Sequence, residues 1–502
     1  MKFTQQQEDI FNSTESIILI KAFAGAGKTT TLIEFAKRRP KNKFLYLAFN
    51  SSVVENAKGK FPSNVKIMTP HSLAYKEFGH LFEDKIKKNL KTINVINLLN
   101  LDKRNKLHLK LAKTVLDTVI NYTNSDYKVL NDAVPLKNLI NRDDFISYCE
   151  RLWDAMIDNT NDFPCTHDAY LKLYQLSQPY LNYDYILYDE AQDANPVIVD
   201  IISKQVVRLQ TKLVIVGDEH QAIYGFRNAI NSLSKFKHDK EYALSKSFRF
   251  GKNIAFGVNA ILQVMKGETI LVEGAEHEDN IVKSLDRNKK IAIISRTNAC
   301  LFLKALEAIE KNKTIHFISG IQKYNFYKIK DVDNLYSNKH HKIVDPYIRE
   351  FENYASFVHL AENTEDNEML FLKKIVDKYH GKIEVLMEKI NCSIVGELDA
   401  DVVLTTAHKS KGLEFENVFL CNDFARFIDS KGNVILRNWK EEEINILYVA
   451  TSRATKCLQG NSTLNNVIKY YQAGLKDNMI FSKNKNDGKT VYISNIDNKW
   501  DK

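Results

Sequence analysis

The segment Ala22-Phe23-Ala24-Gly25-Ala26-Gly27-Lys28-Thr29 puts two glycines, an ammonium and a hydroxyl within eight residues. Small residues let backbone N–H groups close around phosphate oxygens at a helix N-terminus. The cradle is expected from Ala24, Gly25, Ala26, Gly27, Lys28, Thr29 and Thr30. Lys28 would reach the β- and γ-phosphates, and the Thr29 hydroxyl would ligate Mg²⁺. A chance glycine turn is the bland alternative.

Asp189-Glu190-Ala191-Gln192-Asp193 carries two adjacent carboxylates. One such group can hold a metal ion while the other orients an attacking water. Asp189 is assigned to Mg²⁺ and Glu190 to the water. Alone, this stretch also reads as a solvated acidic turn.

The flanking elements argue for chemistry. Ile17-Ile18-Leu19-Ile20 suits a strand buried on both faces, and TTLIEFAKR after the glycines reads as a helix. Strand, glycine-rich loop and helix are the context a phosphate loop requires. Tyr185-Ile186-Leu187-Tyr188 is a second buried strand, running directly into Asp189.

Further motifs resemble, in order, those of the UvrD/Rep-like superfamily 1 helicases. Gln7 in FTQQQEDIF is similar to the family's adenine-reading glutamine. Leu47-Ala48-Phe49-Asn50 and Met68-Thr69-Pro70-His71-Ser72-Leu73 resemble its first DNA-contacting motifs. Val216 through Arg227 (VGDEHQAIYGFR) resembles the segment coupling the γ-phosphate to DNA, and Leu244 through Arg249 (LSKSFR) the motif opening a second motor domain. Thr405 through Phe415 (TTAHKSKGLEF) and Leu447 through Ala454 (LYVATSRA) are similar to the last two motifs. Thr166 through Leu173, before the acidic strand, looks like the F-box DNA helicase branch. The chain begins at the motor motifs, so no F-box partner is expected.

The resemblance implies an α/β fold: two RecA-like P-loop domains with parallel sheets, each carrying a mostly helical inserted subdomain. It implies ATP and Mg²⁺ as cofactors, with Lys28, Glu190, Gln221, Arg249 and Arg453 catalytic. The two arginines would be fingers on the γ-phosphate, and Glu414 would hold the ribose, with Gly412 permitting close backbone approach. Phe49, Tyr224 and Phe226 are candidate stacking platforms for bases, the alternative being core residues. Asn50, His71, Arg227, Arg296 and His408 complete the expected DNA contacts, the basic groups and histidines as phosphate or coupling contacts rather than metal ligands. Pro70 and Phe226 depart from the family's usual aromatic and Trp.

The chain's 502 residues exceed what one core supports, since single cores stop growing at roughly 250–300 residues. The expected layout has residues 1–84 and 175–245 in the first RecA-like domain, interrupted by a helical insertion at 85–174. Residues 246–322 and 400–475 form the second, with a short helical insertion at 323–399, and 476–502 a polar tail in which Val491-Tyr492-Ile493 could add an edge strand. In the first insertion, Leu107, Leu109, Leu111, Val115, Leu116 and Ile120 have helical spacing. There Lys85, Lys87, Lys88, Lys91, Lys103, Arg104, Lys106, Lys110 and Lys113 face only Asp102. They read equally as a phosphate-contacting surface and as a solvated face.

A formal net charge of +9 favours a nucleic-acid partner without requiring one. The six cysteines show neither disulfide-scaffold density nor zinc-ligand spacing, which fits a reduced compartment. With no apolar run long enough to span a bilayer, no membrane is expected. The location expected is cytoplasmic, or nucleoid-associated if prokaryotic. The family resemblance implies a 3′→5′ helicase or translocase on single-stranded DNA and single-strand/duplex junctions, in repair or recombination. The alternatives are a DNA-stimulated ATPase that remodels protein–DNA complexes, and a subunit of a host-defence assembly.

Overall fold

The computed structural model describes residues 2–494, apart from 88–89, 103–104, 136–139, 226–232, 234–235, 365–366, 475–478 and 484–489. The chain divides into two compact units, one of residues 1–23 and 27–244, the other of 24–26 and 245–502.

In the first unit β1 (Ile17–Ala22), β2 (Phe44–Leu47) and β3 (Val65–Met68) are followed by a two-residue parallel pair, β4 (Ile86–Lys87) with β5 (Cys165–Thr166). Then come β6 (Tyr185–Tyr188), β7 (Lys212–Gly217) and β8 (Lys240–Leu244). The main sheet has the order β3-β2-β6-β7-β1-β8, every pair parallel. Such sheets are covered on both faces, which is why FLYL and YILY are apolar throughout instead of alternating. All eight of those residues are buried.

Helix 28–37 starts directly after the glycine loop. Its N-cap, Gly27, has φ +76°, a left-handed conformation that a side chain would strain. A short helix, 5–11, precedes β1 and is closed by a capping box between Thr4 and Gln7. Pro70 opens helix 70–77 behind the N-cap Thr69, a position where its missing N–H costs nothing.

Between β3 and β6 the chain is chiefly helical. On helix 106–123 the buried face is Leu111, Val115, Leu116, Val119 and Tyr122. Leu107 and Ile120, expected on that face, point outward instead. Of the basic run, Lys85 donates to Asn161 Oδ1 at 3.0 Å and Lys113 pairs with Asp117. Lys88, Lys103 and Arg104 lie outside the described residues.

The second unit holds β9 (Asn280–Val282), β10 (Ile291–Ser295), β11 (Ile315–Phe317), β12 (Val402–Thr406), β13 (Phe415–Leu420) and β14 (Ala454–Gln459). Their order is β11-β12-β10-β13-β14-β9, again all parallel. Between β11 and β12 lie helices 327–336, 346–349, 354–364, 367–379 and 383–392. They share a core with the sheet through Ile329, Val332, Phe357, Ile375 and Leu404. Near the end β15 (Met479–Lys483) and β16 (Thr490–Ser494) form an antiparallel pair. Val491-Tyr492-Ile493 is thus a strand of that hairpin and not an edge strand of the six-stranded sheet.

Candidate functional site

In the first unit the sequence-predicted phosphate and metal residues converge at the C-terminal ends of the parallel strands. Lys28 follows β1, Asp189 and Glu190 follow β6, and Asp218 and Gln221 follow β7. Open parallel sheets bind ligands at this end, because strand and helix termini leave a crevice there. Lys28 Nζ lies 2.9 Å from Glu190 Oε1. Burial lowers the lysine's proton affinity, but Glu190, Asp189 and Asp218 more than offset it, and its pKa ends above the ordinary value.

Glu190 occupies the left-handed region at φ +54°. A non-glycine residue there stores strain, a feature that clusters at functional sites. Gln192, which the motif reading left without a role, donates to Glu190 Oε2 and accepts from the Asp218 N–H at 3.0 Å. Gln221 Nε2 donates to Asp218 Oδ2 at 2.7 Å. Hydrogen bonds therefore connect the two candidate catalytic side chains, Glu190 and Gln221, through Gln192 and Asp218.

The donors here fit a hard divalent cation. Thr29 and Asp189 offer oxygen only, which suits Mg²⁺. Asp189, Glu190 and Asp218 also outnumber the single ammonium of Lys28. Burial and the neighbouring Glu190 raise the pKa of Asp189, as expected of carboxylates crowded together with too little positive charge. When bound, the cation would be held by Thr29 and Asp189 and would neutralise phosphate charge.

Gln7 is buried, and both ends of its amide are engaged. Its Oε1 accepts from the Thr4 N–H at 3.0 Å, and its Nε2 donates to Thr31 Oγ1 at 3.1 Å. The side chain ties helix 5–11 to the phosphate-loop helix. Thr30 is exposed on that helix.

The expected DNA contacts of this unit stand at the same end of the sheet. The rings of Phe49, after β2, and Tyr224, after β7, stack at 5.5 Å with 15° between planes. Both are half-buried, so neither is a closed core residue. His71, after β3, places Nε2 3.3 Å from Asp168 Oδ1. Asn50 caps helix 51–57, its Oδ1 accepting the Val53 N–H at 2.9 Å. Phe226 and Arg227 lie outside the described residues.

The second unit separates its predicted residues to opposite ends of the sheet. Glu414 and Arg453 immediately precede β13 and β14, adjacent strands with Phe415 opposite Ala454. Arg249 joins them: its Nε donates to Glu414 Oε2 at 3.1 Å and its Nη1 to the Ser452 carbonyl at 3.2 Å. Arg453 is 1% exposed, and its guanidinium donates to the Val449 and Leu413 carbonyls and to Ser452 Oγ. Gly412, two residues before Glu414, has φ +83°, yet a Cβ there would meet nothing within 4 Å. Glycine is needed there for its backbone angle.

Arg296 and His408 follow β10 and β12, at the other end. The Arg296 guanidinium grips Glu443 through Nε and Nη2 at 2.7–3.2 Å, and its backbone N–H donates to Asp423 at 3.0 Å. His408 lies on the short helix 407–410, capped by Thr406.

Tyr46 also escaped the motif reading. Its hydroxyl donates to Asp189 Oδ2 at 2.6 Å. One sequence signal pointed to it: a tyrosine in a wholly buried strand must find a partner for its O–H. Glu443 and Asp423 gave no such signal, because the groups they bind are distant in sequence.

Among the described residues, no helix is long and apolar enough to cross a membrane. Residues 3–241 match the family described as UvrD/REP helicase N-terminal domain. The chain is 33% identical to F-box DNA helicase 1 of Gallus gallus, over 93% of this chain and 50% of that protein. It is 32% identical to F-box DNA helicase protein 1 of Schizosaccharomyces pombe, over 89% of this chain and 56% of that one. A probable DNA helicase II homolog of Mycoplasma genitalium is 24% identical, over 90% of this chain and 84% of its own length. The chain thus spans about half the length of the two F-box relatives. By motif order, fold and these matches, the chain belongs to the UvrD/Rep-like superfamily 1 helicases and is related to their F-box DNA helicase branch.

Proposed function

We propose that this chain is an ATP-driven motor on single-stranded DNA, a 3′→5′ helicase acting at single-strand/duplex junctions in repair or recombination. The supporting observation is that the cluster of Lys28, Asp189, Glu190 and Gln221 shares one end of a parallel sheet with the Phe49–Tyr224 ring pair. A change at the phosphate cluster is then separated from the base-stacking rings only by the loops after β2 and β7.

In this reading Lys28 and the loop from Ala24 to Thr30 bind the triphosphate of ATP. Thr29 and Asp189 hold Mg²⁺, which supplies charge neutralisation at the phosphates. Glu190 orients the water, and Gln221 senses the γ-phosphate. Arg249 and Arg453 stabilise charge on the transferred phosphoryl group, a contribution worth roughly 10³–10⁵ in rate for arginine fingers. Gln7 reads adenine, which requires its amide to exchange its present partners for the base, and Glu414 holds the ribose. Phe49 and Tyr224 stack on bases, with Phe226 beside them, while Asn50, His71, Arg227, Arg296 and His408 touch backbone or couple the sites. The motor comprises 1–84 with 175–245 and 246–322 with 400–475, the segments 85–174 and 323–399 being its insertions. It works in the cytoplasm, at the nucleoid if the host is prokaryotic.

The test is ATP hydrolysis with and without single-stranded DNA, followed by unwinding of 3′- and 5′-tailed duplexes. Strong stimulation with opening from the 3′ tail alone supports the proposal. Stimulation with neither duplex opened replaces it with a translocase that remodels protein–DNA complexes. No stimulation rejects the motor.

A further inference from the structure

Tyr46 is the one hydroxyl-bearing residue of β2, and it is fully buried. Its ring is held against Phe61, centroids 4.6 Å apart. Its hydroxyl donates to Asp189 Oδ2 at 2.6 Å. Asp189 Oδ1 accepts the Glu190 backbone N–H at 2.9 Å. The carboxylate is thus gripped on each oxygen by a neutral donor. An ionised carboxylate has about four lone-pair directions, so these two bonds leave room for a cation.

A lysine or arginine in that place would cancel the charge that attracts the cation; a phenol orients the carboxylate and leaves the charge intact. Partners of this kind fix the orientation of metal ligands, and their loss typically costs 10- to 100-fold in metal affinity.

We infer that Tyr46 is a positioning residue for the divalent-cation site, aiming the Asp189 carboxylate and holding it in register with Thr29. The inference rests on the proposed nucleotide site and adds a residue to it. Because β2 leads directly into Ala48-Phe49-Asn50, the strand that carries the cation-positioning phenol ends two residues before one of the stacked rings.

The test is Tyr46→Phe, which keeps the ring and its packing and removes only the hydroxyl. A fluorescent ATP analogue is titrated against the full chain in EDTA and then across a Mg²⁺ series, with Mn²⁺ binding followed separately by electron paramagnetic resonance. The expected result is a rise of about 10-fold or more in half-saturating Mg²⁺ and in the Mn²⁺ dissociation constant. Metal-free nucleotide affinity and melting temperature stay unchanged. In an Asp189→Asn background the added Tyr46→Phe change should do nothing further, since both act through one contact. Unchanged metal dependence, or an equal loss of metal-free affinity and melting temperature, overturns the inference. A wild-type chain that binds no nucleotide in Mg²⁺ overturns the underlying site instead.

Discussion

The Lys28 ammonium stands 2.9 Å from the Glu190 carboxylate, so the candidate phosphate lysine and the candidate water-orienting glutamate hold each other. A nucleotide phosphate would compete for that lysine and release the glutamate. Glu190→Gln should therefore leave ATP affinity equal or tighter, because Lys28 loses a charged competitor, while turnover falls at least about 100-fold. Lys28→Ala should lose both. Nucleotide titration beside steady-state hydrolysis separates the two, and brisk turnover in Glu190→Gln would remove the glutamate's role.

Phe49 and Tyr224 form a parallel ring pair at the strand ends. If bases stack there, Phe49→Ala and Tyr224→Ala should each weaken single-stranded DNA binding by about 1–3 kcal/mol, with little sequence preference. Hydrolysis without DNA should persist. Fluorescence anisotropy with a labelled oligonucleotide checks this, and a fall in melting temperature without loss of DNA affinity would make the pair structural.

Arg249 and Arg453 should part ways under mutation. Arg453 is buried, and its removal takes a donor from the Leu413 carbonyl, at a cost on the order of 1–3 kcal/mol, while the Val449 carbonyl keeps the Ser452 hydroxyl. Arg453→Ala is expected to lower the melting temperature by roughly 5 °C or more as well as turnover. Arg249, whose carboxylate partner Glu414 is largely exposed, should lose turnover with little change in melting. Scanning calorimetry beside ATPase assays tests the contrast, which equal melting of both variants would refute.

Arg296 is committed to Glu443 by two guanidinium nitrogens. Burial disfavours its charge, but Glu443 more than compensates and raises its pKa. Glu443→Gln would loosen that grip and free the guanidinium for a phosphate. DNA binding should tighten at low salt and converge on wild type as salt rises. Affinity unchanged at every salt concentration would assign Arg296 to the fold alone.

Lys172 is fully buried and donates to the Ser125 carbonyl at 3.0 Å and to the Tyr127 carbonyl. Burial, reinforced by Lys128, lowers its pKa to about 7 from 10.5. A neutral amine has two N–H groups, matching those two carbonyls. Between about pH 7 and 10.5 the unfolded chain binds this proton and the folded chain does not, so stability rises with pH across that window. From pH 7 to 9 the wild-type melting temperature should climb relative to Lys172→Met. Parallel curves for the two proteins would show that the lysine is charged in the fold.

Much of the candidate site was legible in the sequence, because its parts are local motifs. Glycines ahead of Lys28-Thr29, and two carboxylates after YILY, are short segments whose chemistry follows from residue type and order. Helix 106–123 was legible as a helix, but the face it buries was misjudged at Leu107 and Ile120, since the neighbouring elements decide which side is covered. Val491-Tyr492-Ile493 read as a strand, yet its partner turned out to be β15. A strand's propensity is local, whereas its pairing depends on which backbone edge is free beside it.

The sequence by itself determined the parallel α/β architecture and named the candidate reactive groups. Buried strands need continuous apolar runs, and phosphate loops need small residues before a lysine. Only the tertiary structure decided which groups meet. It gathered Lys28, Glu190, Gln221, Phe49 and Tyr224 at one end of the first sheet, while in the second it sent Arg249, Glu414 and Arg453 to the end opposite Arg296 and His408. Strand direction and order set that distribution, and both depend on packing between segments hundreds of residues apart. The same packing brings the Tyr46 phenol to Asp189, 143 residues further along the chain.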